Sequence, residues 1–354
     1  MRKSVLVFSV AALASVLANV ATLAPVNALD ITSADGVTKT LTGTIDDGLY
    51  VKSDADITIK LDNATINAAA GKDTIYVEKG AKLTLTGKGV INNVAGRANV
   101  FSNGEVTIDG DITINHTGAY YAILNHGEMM TINKVTVNAG AGTNSGIVNG
   151  YYGFGSTDHR VGHVADVNYE KPQMTLGADV VVNIEGAVNA TIKNDDNGVM
   201  TIDGGIYAGS AAGVFQNANI ATINGGEFVQ ANSDKPLIYN DHFDGGKNAG
   251  ELNINGGRFI YAEDTFIEAT DGSATTIKGG EFSFAPDEEF IAEGVEFEKN
   301  ANGAWVAKAP VEFPSEDNNE EKNPATADNI LAFVAIFAGA LAALGATLVV
   351  AKKA

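Results

Sequence analysis

Three copies of one short phrase lie close together in the chain: TINGGEF at 222–228, NINGGRF at 253–259 and TIKGGEF at 276–282. Each copy places an apolar residue between polar neighbours and continues with two glycines and an aromatic residue. This order is typical of a short strand, a tight corner and the start of a second strand. An aliphatic phrase ending in a polar residue closes each cycle, as in 214–217 and 237–240. The repeating unit therefore predicts a coil and not a hairpin.

The same cycle can be followed towards the N-terminus by taking the residue that closes the aliphatic phrase as a marker. Successive markers lie 22 to 24 residues apart, with one gap of 45 that is close to two periods. Weaker cycles fit as far back as residue 49, so we expect about nine turns. The markers are Asn103, Asn125, Asn149, Asn194, Asn217 and Asn240.

A period near 23 residues with several short strands per period predicts a β-solenoid, in which turns bury their apolar faces only by stacking. The chain has no cysteine, so its folding depends on core burial and not on disulfides. Two interpretations of the recurring asparagines stay open. Their side-chain amides form a hydrogen-bonded ladder along the stack, or they occupy left-handed corners that Asn tolerates.

The repeat pattern resembles the right-handed parallel β-helix of the pectate-lyase-like superfamily, in its glycine-rich bacterial cell-surface form. The resemblance covers roughly residues 40–308, and it implies an all-β, right-handed parallel β-helix within a domain of residues 29–309. The last part of that domain looks like an end turn, in which Asn302 and Gly303 turn a capping hairpin that carries Trp305. Such a resemblance is specific for architecture and says little about activity.

The N-terminal residues 1–28 have the composition of a signal peptide. Arg2 and Lys3 precede an apolar run over 5–24, and Val26-Asn27-Ala28 provides small residues at the spacing of a signal-peptidase site. We therefore expect an exported chain that begins at Leu29. The alternative is an N-terminal transmembrane anchor.

The C-terminal tail has three parts. An acidic linker over 310–322 leads into residues 323–354, where a short polar motif precedes a mostly apolar segment at 330–350 and a final pair of lysines. The length of the apolar segment predicts a transmembrane helix with its C-terminus in the cytoplasm. This order resembles the sorting signal of sortase substrates, which implies a sortase-type transpeptidase and the cell wall as partners, with cleavage after Thr326. The motif residues are Asn323, Pro324, Thr326 and Ala327.

Ala327 stands where that family has glycine or asparagine. Plain anchoring in the membrane by 330–350 is therefore the alternative. In both cases we expect the solenoid outside the cell, anchored to the wall or to the membrane. The net charge of −20 would repel phosphate backbones, which argues against nucleic acid as a partner.

Two turns are longer than the others, and both lengthen at the same point of the cycle. The insertions, roughly 151–172 and 241–250, should emerge from one corner, with roots about 14 Å apart for three turns. Aromatic and charged side chains collect there, which favours a glycan or protein ligand on this edge. The alternative is that each loop folds over its own aromatic residues. The candidate binding residues are Tyr151, Tyr152, Asp158, His159, Arg160, His163, Asp241 and His242.

Neither a metal nor another cofactor is predicted. His159 and His163 would share one face of a helix and could hold zinc, but Gly162 and the glycines before the pair argue against a helix there. The resembled superfamily includes polysaccharide lyases, for which Arg160 is a candidate base. We expect no enzyme but a binding (adhesin-like) or structural surface module, and the alternative is a wall-attached polysaccharide-active enzyme.

Overall fold

The computed structural model describes residues 28–94, 97–150, 171–195, 197–209, 212–241 and 249–308. These residues form an all-β parallel solenoid of about nine turns, as predicted. Two short 3₁₀ helices, Ser33–Asp35 and Glu288–Phe290, are the helical elements of the described ranges. The right hand of the coil stays a prediction. The signal peptide, the linker and the sorting signal lie outside the described residues, apart from Ala28 at the predicted cleavage site.

One short strand from each turn joins a ten-stranded parallel sheet, sheet A. Neighbouring strands pair in strict register, so that residues at one point of the cycle form columns along the solenoid axis. Numbered in chain order, the strands of sheet A are β1 (Leu29–Ile31), β3 (Leu49–Val51), β5 (Ile75–Val77), β7 (Val100–Ser102), β9 (Tyr121–Asn125), β11 (Ser145–Asn149), β13 (Ala190–Asn194), β16 (Gly213–Asn217), β19 (Ile238–Asn240) and β22 (Ile267–Ala269).

The rest of each turn belongs to sheet B. In the first six turns it is one long strand: β2 (Thr38–Ile45), β4 (Asp56–Asn67), β6 (Lys82–Asn93), β8 (Glu105–His116), β10 (Met129–Ala139) and β12 (Gln173–Ile184). In the later turns it divides into two: β14 (Val199–Ile202) and β15 (Ile206–Gly209), β17 (Ile220–Ile223) and β18 (Glu227–Gln230), β20 (Glu251–Ile254) and β21 (Arg258–Ile260), β23 (Ala274–Ile277) and β24 (Glu281–Phe282).

The Gly-Gly pairs cause this division. The second glycine of each pair has a left-handed backbone, as at Gly226 with φ of 102° and Gly257 with φ of 111°. A Cβ atom at Gly226 would lie 3.0 Å from the carbonyl oxygen of Gly204 in the turn below. Glycine is therefore required there for both conformation and space.

The core consists of columns of apolar side chains that continue from turn to turn. Ile202, Ile223 and Ile254 form part of one column and are fully buried, whereas Thr222 beside them is half-buried on the outer face. After the Gly-Gly corner, an aromatic column of Tyr207, Phe228, Phe259 and Phe282 has successive ring centroids 5.1, 5.2 and 4.8 Å apart. Each buried side chain of this size contributes roughly 1.5 to 3 kcal/mol before entropy costs.

Both ends of the stack carry features that oppose the addition of another strand. At the N-terminal end Lys39 occupies an inward register position opposite Ile59, and its ammonium pairs with Asp35 of the first 3₁₀ helix. At the C-terminal end β25 (Phe297–Lys299) and β26 (Trp305–Ala307) form an antiparallel hairpin, and β26 pairs with β24. Inward charges and antiparallel caps are common protections of exposed sheet edges.

Candidate functional site

A ladder of buried asparagine side chains runs along the corner from which the two predicted insertions emerge. The Nδ2 of every asparagine except the last donates to the Oδ1 of the next one, and all five side chains are fully buried. The bonds are Asn125 to Asn149 at 2.9 Å, Asn149 to Asn194 at 3.0 Å, Asn194 to Asn217 at 2.9 Å and Asn217 to Asn240 at 2.9 Å.

The ladder interpretation of the marker asparagines is therefore confirmed for these five, and the left-handed alternative is wrong, because none of them has positive φ. The marker Asn103 was misplaced by one residue. The register pairs Ser102 with Asn125, while Asn103 donates to the hydroxyl of Tyr76 at 2.7 Å. Towards the C-terminal end of the stack, the residue that follows Asn240 in this column is Ala269.

The ladder also holds the roots of both insertions. Asn149 donates to the carbonyl of Pro172 at 3.0 Å, and Asn240 donates to the carbonyl of Gly250 at 3.2 Å. Because β11 and β19 are three strands apart in sheet A, the roots lie about 14 Å from each other along the axis. The insertions therefore leave from one rigid edge, as the spacing predicted.

Of the predicted binding residues, Asp241 is described. It is half-buried at the root of the second insertion, where its N–H donates to the carbonyl of Asn217 at 2.8 Å and its own carbonyl accepts from Gly250. The other candidates lie outside the described residues, so their mutual arrangement stays a prediction. They are Tyr151, Tyr152, Asp158, His159, Arg160, His163 and His242, together with the sorting residues Asn323, Pro324, Thr326 and Ala327.

A buried ion pair beside this corner was missed by the sequence analysis. The Lys193 ammonium lies 3.0 Å from the Asp195 carboxylate, and both side chains are at least 96 % buried. Lys193 follows Val148 in an outward column of sheet A, and Asp195 donates its N–H to the carbonyl of Asn149. The signal in the sequence was a lysine at a point of the cycle where the two preceding turns have Leu124 and Val148. Removing either partner would take away an opposite charge from a buried ionic group, which is strongly unfavourable.

Aromatic residues cover the outer face of the earlier strands of sheet A. The rings of Tyr50 and Tyr76 stack at 5.2 Å, Phe101 lies 5.3 Å from Tyr76, and His126 meets Phe101 edge-on at 5.1 Å. Burial and a hydrogen bond to the Glu78 carboxylate raise the pKa of the Tyr50 hydroxyl. Tyr76 and Phe101 form a second apolar cluster with Leu124 and Val148 outside the main core, and Tyr50 packs against it.

The guanidinium of Arg258 contacts two carboxylates, and both belong to adjacent turns of the solenoid. Its guanidinium lies 2.8 Å from Glu227 and 3.0 Å from Glu281, which occupy the strands on either side. Burial opposes the charged form, yet the two carboxylates together raise the pKa of Arg258. A guanidinium held in this way is a permanent cation and not a base. The carboxylates beside Arg258 thus come from neighbouring turns, which a search within its own strand could not detect.

A groove runs along the opposite corner, where the strands of sheet B end and the chain turns towards sheet A. Its volume is about 490 Å³, and Asn115, His116, Asn138, Ala139, Asn183 and Ala208 are among the residues that line it. The His116 ring is fully buried, and its Nδ1 lies 2.8 Å from Asn99 Oδ1. Because the amide of Asn99 donates to two carbonyls, its oxygen is the acceptor and Nδ1 carries the proton. Burial lowers the pKa of His116 to about 4, so the ring is neutral at pH 7.

Within the described ranges there is no group of three or more His, Asp or Glu side chains that could hold a metal ion. The part of the chain that the structure describes also contains no helix long and apolar enough to cross a membrane. The histidines His159 and His163 and the apolar segment 330–350 are not among these residues. Comparison of the chain with protein-family models, with curated proteins and with solved structures gave no match.

Proposed function

We propose that the protein is a surface-anchored binding module, a right-handed parallel β-helix that presents a ligand-binding edge outside the cell. The observation that supports this proposal most is the buried asparagine ladder beneath both insertion roots. Five fully buried amides hold one corner of the stack rigid, and that same corner carries both long insertions. A rigid scaffold with variable loops on one edge is a common arrangement for binding.

The proposed ligand is a glycan or a protein, contacted by the insertions at 151–172 and 241–250. About nine turns at roughly 4.8 Å give a rod about 43 Å long, so the partner must lie close to the anchored cell. Trimming both insertions to the minimal connection should leave the solenoid folded, because Asn149 and Asn240 lie before the cuts. Binding to a glycan array or to neighbouring surface proteins should be lost. Full affinity of the doubly trimmed chain would contradict the proposal.

Anchoring is the second part of the proposal and depends on the tail alone. If a sortase-type transpeptidase joins Thr326 to the wall, Thr326→Ala should move the protein from the wall fraction to the membrane fraction. The matched control is Thr222→Ala, which changes a half-buried threonine of the solenoid and should leave the distribution unchanged. An equal distribution of Thr326→Ala and wild type would favour a plain membrane anchor. The polysaccharide-active enzyme stays the alternative, since its candidate base Arg160 lies outside the described residues.

A further inference from the structure

The groove at the corner opposite the insertions has a definite length and direction. It follows the ends of β8, β10, β12, β15 and β18, which are neighbours in sheet B. Five adjacent parallel strands span about 19 Å along the axis. The groove is therefore long and parallel to the rod, with a shape that suits a segment of an extended polymer.

The groove lies where the small residues Ala139, Ala208 and Gly209 interrupt two register columns, while Ile184 between them stays large. One register column begins with Asn93 and His116, continues with Ala139 and Ile184, and reaches Gly209. The neighbouring outward column changes from asparagine to Ala208 in the same turn. The backbone follows the same path in every turn, so the smaller side chains at these positions leave a groove with an apolar floor.

One wall of the groove carries a row of side-chain amides that form an outer ladder. In the earlier turns its bonds are short, 3.0 Å from Asn92 to Asn67 and 3.0 Å from Asn115 to Asn92. At the groove they lengthen to 3.5 Å from Asn138 to Asn115 and 3.4 Å from Asn183 to Asn138. Hydrogen bonds of that length are weak. The amides of Asn138 and Asn183 can therefore exchange them for bonds to a ligand.

The charges of the groove select against anionic ligands. Among the residues that the structure describes, its lining contains no lysine or arginine and one charged residue, Glu185, and the whole chain has a net charge of −20. Phosphate groups and uronate sugars would meet repulsion without a compensating cation.

An extended peptide also fits the groove poorly. Peptides that bind as added strands need free main-chain N–H and C=O groups at a sheet edge. Here the strands beside the groove pair with neighbours on both sides along the axis, as β12 does with β10 and β15. The groove therefore offers side-chain amides and apolar surface, which together match the hydroxyl rim and the C–H faces of a neutral sugar.

We propose that this groove binds an extended segment of a neutral glycan, with a sugar face on Ala208 and hydroxyl groups bonded to Asn138 and Asn183. The site is separate from the insertion edge and extends the proposed function to a second surface. It does not depend on residues 151–172 or 241–250.

The test is isothermal titration calorimetry on the full-length chain in detergent. The neutral probes are cellohexaose, mannohexaose and chitohexaose. Hexagalacturonate and an uncharged extended decapeptide represent the excluded classes. At least one neutral hexasaccharide should bind. Ala208→Phe should fill the groove, and the Asn138→Ala/Asn183→Ala variant should remove two ligand hydrogen bonds, which corresponds to a loss of affinity of about tenfold or more.

Two matched controls share the chemistry of these variants. Thr201→Phe places the same ring on the outer face of β14, in the same turn as Ala208, and Asn67→Ala breaks the outer ladder at its bond to Asn92, away from the groove. Both should bind as wild type does, and all variants should show the melting curve of a folded solenoid. The doubly trimmed chain should also keep this binding, which separates the groove from the insertion edge.

Three results would overturn the inference. The first is the absence of binding by every neutral hexasaccharide, and the second is tighter binding of hexagalacturonate or the peptide. The third is an unchanged affinity of both Ala208→Phe and Asn138→Ala/Asn183→Ala when the melting curves show that these variants are folded. Loss of binding on trimming the insertions alone would assign the glycan to the other edge.

Discussion

Asn217 lies in the middle of the buried ladder, and its replacement by alanine is the sharpest test of what holds the corner together. The side chain is fully buried. Its Nδ2 donates to Asn240 Oδ1 at 2.9 Å and to the carbonyls of Asn219 and Glu251 at 3.0 and 3.2 Å. Its Oδ1 accepts from Asn194 at 2.9 Å. The change to alanine removes all of these bonds at once.

The expected cost follows from the neighbours that remain. Each hydrogen bond contributes about 0.5 to 1.5 kcal/mol net, and each buried polar group left without a partner costs about 1 to 3 kcal/mol. Asn194 keeps bonds to the carbonyls of Gly198 and Ile220, so its amide is still satisfied. Asn240 Oδ1 loses its Asn217 donor. We expect Asn217→Ala to lower the free energy of unfolding by about 3 to 5 kcal/mol.

The matched control is Asn224→Ala in the next corner of the same turn. Asn224 also belongs to a ladder, donating to Asp203 at 2.8 Å and accepting from Asn255 at 2.9 Å, but it is exposed. Water can replace those bonds, so the cost should stay below about 1 kcal/mol. Urea titrations followed by far-ultraviolet circular dichroism would measure both variants. Equal losses in the two, or a loss below about 1 kcal/mol for Asn217→Ala, would refute the view that burial makes the ladder stabilising.

Two further predictions address the core and the pH dependence of stability. Ile223→Asp should lower the free energy of unfolding by several kcal/mol because it buries an unpaired charge. Thr222→Asp on the outer face should change it little. Similar melting temperatures of the two variants would mean that the inner and outer faces of this strand are misassigned. Burial lowers the pKa of His116 to about 4, from a value near 6.5 in the unfolded chain. The contribution of the neutral ring to the free energy of unfolding is therefore fully present above pH 6.5. It is lost as the pH falls towards 4, and the loss is on the order of 3 kcal/mol. His116→Asn, which repeats the Asn93 of the preceding turn, should remove that part of the acid sensitivity, and parallel melting-temperature profiles of the variant and the wild type between pH 7 and 4 would contradict this.

The features that were missed share one cause. The outer ladder is visible in the sequence as asparagines at 67, 92, 115, 138 and 183, at nearly the same period as the buried ladder, but nothing local distinguishes it from turn residues. The groove forms where side chains are small, and its signal in the sequence is alanine or glycine at positions where earlier turns have asparagine or histidine. Arg258 and its carboxylates are 23 and 31 residues apart and meet because the strands stack. Each of these arises between turns and not within one.

The sequence by itself determined the solenoid, its approximate number of turns, the inward position of Ile223 and the common edge of the two insertions. It could do so because every turn makes nearly the same contacts with the next, so that period and alternation encode the packing directly. Only the tertiary structure decided the exact register, the burial of Lys193 with Asp195 and the neutral state of His116. The sequence alone cannot tell a residue of the column from its neighbour, as at Ser102 and Asn103, because a residue's burial and hydrogen bonds are set by the side chains that the adjacent turns place beside it.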